Sequence, residues 1–430
     1  MSLFRDGDFR RLWGGLTVSK LGTSVASVVT PLIAVQVLDA GAFTVSLLTA
    51  AAWLPWLLIG LPAGAWVDRM AKRPVLLTAD AASALLVASV PVTAWLGRLT
   101  VAHLLAVALL TGVASVFFEI AYTGYLPAMF QAGDLVQANS LAHGSESATQ
   151  IAGPALGGAL AAVAGAVTGL VIDAASFAAS FLGLLLIRRS ERPVAHVPRQ
   201  DITREILAGV HWLVHDPYLR NLMSHGAAAN LALTGYTALN VVFLVRDVGV
   251  GTGTVGLLLS ASGLGGVAAA FAVPLLVRRH GAARTMRWCK AGAGFSALLI
   301  PCTTAGWGLA LFAAGTALVA ALVVVANVIT GSFRQTYVPP EFLGRVLTGM
   351  QFVNYGTIPL GAVLGGMLAT AYGNRLTVAV MAGTYALSGL IILLGPFRGR
   401  RDLPASPTSE ERVPPPSTVH GPRPTTEARS

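Results

Sequence analysis

Charge is scarce in this chain. Only 11% of its 430 residues are Asp, Glu, Lys or Arg and 54% are hydrophobic, whereas a soluble domain carries about 25% charged residues. That excludes a soluble globular protein and leaves an integral membrane protein. Cysteine is nearly missing too. Cys289 and Cys302 stand thirteen residues apart in one apolar run, about 20 Å along a helix and too far to bridge, so no disulfide framework supports the fold. No stretch has the Gly-x-x-x-x-Gly-Lys-Ser/Thr spacing of a phosphate-binding loop, which excludes ATP as an energy source. His211 and His215 have the i, i+4 spacing of a zinc helix, but neither has a Glu beside it. They read as polar residues on an interfacial helix, and no metal and no other cofactor is expected. No His/Asp/Glu constellation is dense enough for catalysis, and no soluble sensing domain is attached. An enzyme and a sensor are therefore the weaker readings.

What the chain has in quantity is long apolar runs. A hydrocarbon core is crossed by about 20 helical residues, and on that measure twelve spans are predicted, near 12–38, 45–66, 75–97, 101–122, 139–163, 166–187, 220–245, 254–277, 285–304, 308–332, 346–371 and 376–396. The net charge of +10 reflects where the bases sit. Of the 29 Lys and Arg, Arg98, Arg246 and Arg375 fall in segments assigned outside, Lys20 lies within a helix, and the rest fall at helix ends or in loops assigned to the cytoplasm. Both termini are then cytoplasmic in a multi-pass protein of a bacterial-type inner membrane. No basic patch is interleaved with aromatics, so nucleic acid is not a partner. The charged N-terminus is followed by no small-residue cleavage pattern, and the first apolar run reads as an uncleaved span.

Residues 188–219 join two sets of six spans. Within them Ile202, Ile206, Val210, Leu213 and Val214 share one face of an amphipathic interfacial helix. Residues 398–430, Pro-rich and polar, read as a disordered cytoplasmic tail. Residues 1–187 and 220–397 are thus predicted to be two domains, and a repeat relates them. Gly64-Ala-Trp-Val-Asp-Arg corresponds to Pro274-Leu-Leu-Val-Arg-Arg 210 residues later, Tyr125-Leu-Pro127 returns as Tyr337-Val-Pro339 at 212, and Gly157-Gly158-Ala-Leu-Ala161 returns as Gly365-Gly366-Met-Leu-Ala369 at 208.

The stretch from Gly64 to Pro74 reads as a tight eleven-residue hairpin between spans 2 and 3, carrying Asp68, Arg69, Lys72 and Arg73. Gly, three residues, Asp-Arg, two residues and two bases resemble the signature loop of the major facilitator superfamily, with Ala71 where that family usually has Gly. Tyr125-Leu-Pro127, Ala138-Asn139-Ser140, Gly153-Pro154 … Gly157-Gly158, Asp173 … Ser176-Phe177 and Arg334-Gln335 … Gly344-Arg345 resemble the branch holding the enterobactin exporter and the macrolide efflux proteins. The resemblance covers residues 5–397. It implies an all-α fold of twelve transmembrane helices in two pseudo-symmetric six-helix bundles. It also implies a midplane site between the halves, with spans 1, 4, 7 and 10 lining the cavity. The function so implied is proton-coupled efflux of an amphipathic small molecule, a drug, antibiotic or siderophore-like product, by a monomeric antiporter. A uniporter or importer of a small metabolite is the alternative.

Ionisable residues inside spans cost about 2.5–3.5 kcal/mol each at a helix centre, so each should be paired or face water. Lys20 lies on a stripe with Thr17, Ser24 and Ser27; Glu119 with Thr111, Ser115 and Tyr122; Glu146 with His143, Gln150 and Gly153; Asp173 with Ser176 and Ser180. Glu146 is the expected proton carrier, tuned by Lys20 or His143, with Glu119 and Asp173 as further candidates. Asp80 is expected to pair with Arg69 or Arg73. Gly153, Pro154, Gly157 and Gly158 form a predicted hinge or close-packed interface between the halves. Asp68 is expected at the N-terminus of span 11, near Val346, with Arg69, Lys72 and Arg73 on acids or lipid phosphates. That contact would favour the outward-open state.

Overall fold

The computed structural model describes residues 5–130, 132–188 and 213–404. Long helices run in the order α1 (Gly7–Gln36), α2 (Ala42–Asp68), α3 (Lys72–Trp95), α4 (Val101–Met129), α5 (Ala132–Ala164) and α6 (Ala166–Leu185). They continue as α7 (Pro217–Thr237), α8 (Thr252–His280), α9 (Ala282–Ala297), α10 (Leu309–Tyr337), α11 (Pro340–Tyr372) and α12 (Asn374–Leu394). No strand occurs among the described residues. Ten of the helices are long and apolar enough to cross a membrane. The two outside that number are α5, which carries polar residues along its first turns, and α9, which has 16 residues and holds Arg284, Arg287 and Lys290.

Side chains close the helix ends. Asp6 accepts from the backbone N–H groups of Asp8 and Phe9 at the start of α1 (2.9 and 3.3 Å). Asp216 does the same for Tyr218 and Leu219 ahead of α7, and its other oxygen accepts from the Tyr337 hydroxyl at 2.6 Å, tying α7 to α10. Single glycines at positive φ join α5 to α6 (Gly165, φ 84°) and α11 to α12 (Gly373, φ 85°). Only glycine reaches that region without strain. The start of α1, the α2–α3 connection and the end of α6 lie together, with Asp8 accepting from the Arg188 N–H and Arg73 donating to the carbonyls of Leu184 and Leu185, at what is here called the basic end.

The connection between α2 and α3 is shorter than the sequence implies. Helix α2 runs through Gly64 to Asp68 and α3 begins at Lys72, leaving three residues, 69–71, between them. Ala71 sits in ordinary extended backbone (φ −62°, ψ 129°), so this turn needs no glycine there. Helix α5 begins seven residues before the predicted span, because its first turns are amphipathic and apolar content alone underestimates them. The predicted span 7 breaks after Thr237 and continues through 240–242 into a π-helical turn, Phe243–Val248. Cys302 lies on a separate 3-10 turn at Pro301, beyond the end of α9 that carries Cys289. Of the predicted tail, residues 398–404 are ordered. The Arg401 carbonyl accepts from the N–H groups of Ala283 (3.0 Å) and Arg284 (3.3 Å), and Asp402 Oδ1 accepts from that of Ala282 (3.2 Å). They supply the cap that α9 lacks in its own sequence. Residues 405–430, and 189–212 with His211 and most of the amphipathic segment, lie outside the described residues.

Helix α1 packs on α5 and α6, α2 on α4, and α3 on α4 and α6; likewise α7 packs on α11 and α12, α8 on α10, and α9 on α10 and α12. Between the two sets, α2 lies against α11 and α5 against α8. The repeated glycines show how alike these contacts are. A Cβ on Gly157 would come within 3.0 Å of the Val25 carbonyl in α1, and one on Gly158 within 2.6 Å of Gly256 Cα in α8. At the second copy, a Cβ on Gly365 would press on the Gly235 carbonyl in α7 and one on Gly366 on Ser46 in α2. In each pair the first glycine seats the helix on its own set and the second seats it on the other.

Candidate functional site

The two sets meet along the half of the molecule away from the basic end. The contacts run from Gly366 against Phe43 and Ser46, through Gly158 against Gly256, to Gly263 against Ile151 and Gly356 against Leu57. An ion pair between Arg246 and Asp39 (2.7 Å) ties the rims together there. Near mid-depth, Tyr355 of α11 lies edge-on against both Trp53 and Trp56 of α2, with ring centroids 5.5 and 5.3 Å apart. Between these contacts is a cavity of ≈ 880 Å³, mostly apolar, lined among others by Lys20, Trp53, Trp56, Asp80, Glu119 and Asp173, with Ser262 and Thr316 facing from the second set. A volume of this size suits a drug-sized molecule.

The charged group at the cavity is a cluster drawn from three helices. Lys20 Nζ lies 2.5 Å from Glu119 Oε1 and 4.0 Å from Glu146 Oε1, and His143 Nδ1 lies 3.7 Å from Glu146 Oε2. Lys20 or His143 was expected to tune Glu146; both lie near it, and the shorter contact of Lys20 is to Glu119, 99 residues away along the chain. Lys20, Glu119 and Glu146 keep between 36% and 42% of their side chains exposed, and His143 80%. The cluster therefore faces open space, and its internal attraction is screened accordingly. One ammonium serves two carboxylates, so a cation arriving at Glu146 does not have to displace Lys20 from its nearer partner.

Asp173 and Asp80 lie apart from this cluster and deep in the first set, 3% and 2% exposed. The expected pairing of Asp80 with Arg69 or Arg73 is not made. Arg69 is exposed, and the Arg73 guanidinium instead donates to the carbonyls of Leu184 (3.2 Å) and Leu185 (3.0 Å), closing the C-terminal end of α6. Lys72 is buried beneath α4, where Gly124 leaves room for its stem, and its Nζ donates to the Val67 carbonyl at 2.6 Å and lies 3.8 Å from Asp68. The Asp68 side chain is 81% exposed, and Val346 is buried in the core of the second set, so the expected contact between them is not made in this conformation. Gly64 lies within α2 with open space around its Cβ position. The motif at α5 divides its contacts. Gly153 and Gly157 seat on Ser24 and Val25 of α1, while Gly158 and the Pro154 carbonyl meet Gly256 of α8.

Sequence reasoning missed several groups. Lys290 of α9 and Arg334 of α10, read from sequence as bases of the helix ends, are half-buried within those helices, and His225 of α7 is buried with its Nδ1 3.1 Å from the Ser388 carbonyl. Among the described residues no carboxylate pairs with either, and the Arg334 Nε is buried without a hydrogen-bond partner. The aromatic contact of Trp53 and Trp56 with Tyr355 was also missed, since only packing brings residues about 300 positions apart together. No group of three or more metal-binding side chains occurs among the described residues.

Comparison with known proteins agrees with this geometry. The family model described as "Transmembrane secretion effector" matches residues 1–418. No curated protein matches. Among solved structures, a bacterial homologue of the iron transporter ferroportin in its inward-facing state is 17% identical, with a TM-score of 0.75 over 93% of this chain and 100% of that one. A bacterial homologue of ferroportin in an outward-facing state, with soaked iron, gives 0.59 over 91% of this chain and 99% of that one at 17% identity. The nucleoside transporter NupG, as a point mutant, is 15% identical, with a TM-score of 0.71 over 89% of this chain and 99% of that one.

Proposed function

Because the chain belongs to the transmembrane secretion effector family of the major facilitator superfamily, a family of membrane transporters, we propose that it exports an amphipathic small molecule in exchange for protons. In this reading twelve helices cross the membrane as two six-helix halves, 1–187 and 220–397, with the basic end cytoplasmic. The halves rock about the cavity. The conformation described here is then the inward-facing one, a reading supported by the meeting of the halves at the far end and by the greater likeness to the inward-facing neighbour.

The observation that carries the proposal is the cavity itself: apolar and aromatic walls, with a Lys20–Glu119–Glu146 cluster at its edge. Apolar walls take the body of an amphipathic molecule. A carboxylate such as Glu146, 4.0 Å from a shared lysine, offers a place where a cationic head and a proton compete. Burial favours the protonated form and the nearby ammonium favours the ionised one. A change in either on rocking gives the carboxyl a different proton affinity on each side of the membrane. Export of drug, antibiotic or siderophore-like compounds is the substrate class that follows.

The test is uptake into everted vesicles of a natural-product panel, with and without a pH gradient. Glu146→Gln keeps shape and hydrogen bonding but removes titration. It is expected to abolish uphill transport while binding through the apolar walls of the cavity survives. Normal uphill transport by a well-folded Glu146→Gln protein would overturn the role given to Glu146, and gradient-independent transport by the wild type would overturn proton coupling.

A further inference from the structure

A buried polar seam runs between α1, α3 and α6. Asp80 and Ser83 lie on α3 and Asp173, Ser176 and Ser180 on α6, two helices that pack together, and all five are between 1% and 5% exposed. Ser180 neighbours Asp80 at the lower end. Higher up, Ser176 donates to the Asp173 backbone carbonyl at 2.7 Å and lies 3.5 Å from its carboxyl. Gly22 of α1 closes the third side, since a Cβ there would sit 2.8 Å from Asp173 Oδ1. Asp80, Ser83 and Asp173 also line the cavity. Two oxygens in the seam, Asp80 Oδ2 and Ser180 Oγ, are buried without a hydrogen-bond partner among the described residues.

Among the described residues, no cation reaches this seam. On α1, Arg11 pairs with Asp8, Arg10 is exposed and Lys20 is held by Glu119. On α3, Lys72 and Arg73 point to backbone carbonyls at the basic end. On α4, His103 lies 3.0 Å from Ser89 near the other end, and Glu119 belongs to the Lys20 cluster, as do His143 and Glu146 on α5. The remaining titratable groups facing inward, Tyr122 and Tyr125 on α4 and Asp134 at the start of α5, bring no positive charge. An ionised carboxylate in such a place costs many kcal/mol unless it is paired. A hard metal ion would need about six oxygen ligands, more than two carboxyls and three hydroxyls with helical neighbours readily provide.

We propose that Asp80 and Asp173 form a proton-binding site of their own, separate from the Lys20 cluster, and that both carboxyls carry protons in the conformation described here. A protonated Asp80 places no net charge in the seam, and its carboxyl and the Ser180 hydroxyl can each donate to or accept from the other. Because Asp173 borders the cavity, cargo entering there changes its solvation and so its hold on the proton. The role of this site in transport rests on the proton-exchange reading above; its occupancy does not.

Occupancy is tested on the full-length protein in lipid nanodiscs by infrared spectroscopy at neutral pH. The wild type is expected to show C=O bands of protonated carboxyls that Asp80→Asn and Asp173→Asn each remove in part, with the same spectrum in sodium and in choline. Asparagine resembles a neutral Asp, so both variants are expected to melt at the wild-type temperature. Carbodiimide labelling of the wild type, read by peptide mass spectrometry, needs no variant. It should mark Asp80 and Asp173 and spare Glu119, which pairs with Lys20. Spectra without protonated-carboxyl bands, or bands that vanish when sodium is added, would overturn the site as a proton site. Gradient-driven transport in vesicles separates the two ideas. Uphill transport without these bands sinks the site and leaves the exchanger standing, whereas the bands without gradient-driven transport do the opposite.

Discussion

The contact between Gly158 and Gly256 offers the sharpest test of whether the two sets of helices move against each other. Placing a methyl group on Gly158 would bring it within 2.6 Å of Gly256 Cα, 2.8 Å of its nitrogen and 2.8 Å of the Thr252 carbonyl. All three are backbone atoms of α8, so no side chain can swing aside and the helices must part. Overpacking of this kind costs about 1–3 kcal/mol. If the contact exists only when the far ends are together, the whole penalty falls on this conformation, and a penalty of about 1–3 kcal/mol is a shift of about 5- to 150-fold toward the other. Gly158→Ala should therefore lengthen spin-label distances across the far rim, shorten those across the basic end and slow turnover. Gly157→Ala is the control. Its methyl would sit 3.0 Å from the Val25 carbonyl within the first set, so it should lower thermal stability and leave the distances alone. Unchanged distances in a folded Gly158→Ala protein would refute the argument.

Three further outcomes are expected. Asp68→Asn should insert and fold normally yet raise the population described here, because the charge lost is one that would meet the N-terminus of α11 only when the basic ends close. At about 0.3–2 kcal/mol the shift is up to roughly thirtyfold, and wild-type transport by the variant would put the gate elsewhere. Arg246→Ala removes the rim pair with Asp39, which is largely exposed. The expected shift, about 0.2–1 kcal/mol, is small, disappears in high salt, and is read from the same spin labels. Truncation after Pro404 should leave the melting temperature unchanged. Truncation after Phe397 strips Arg401 and Asp402 from the start of α9 and should lower it, by about 1 kcal/mol or more of stability; equal melting of the two would discount the cap.

The order of helices and the repeated glycine pairs were legible in the sequence because both rest on local signals. Apolar length marks a span, and the glycine pairs at 157–158 and 365–366 recur at one offset. The repeat even carried its packing, since each pair divides its contacts in the same way. Helix ends were less legible. Amphipathic turns such as 132–138 and charged ones such as 282–284 look like loops to a hydropathy reading, and the structure extends helices through both. Partnership was the least legible. Stripes singled out Lys20, Glu119 and Glu146, which the structure brings together, but which acid a lysine reaches depends on interhelical distance, which no spacing encodes. Asp80 shows the limit most clearly. Arg73 is seven residues away along the same helix, yet its guanidinium turns to the open carbonyls at the end of α6, and the aspartate is left among serines.

The single-glycine joint at Gly165 has a mechanical consequence. A one-residue link gives α5 and α6 no slack at that end, so the two helices tilt as one crank. Helix α5 bears on α8 through Gly158, about two turns from the joint. Helix α6 carries Asp173 about two turns beyond it. Any rotation of α5 at its contact with α8 would pass through this joint to α6 and so to Asp173, whose carboxyl lies close against Gly22 of α1. Lengthening the joint by a few flexible residues would uncouple the crank without touching either of its ends.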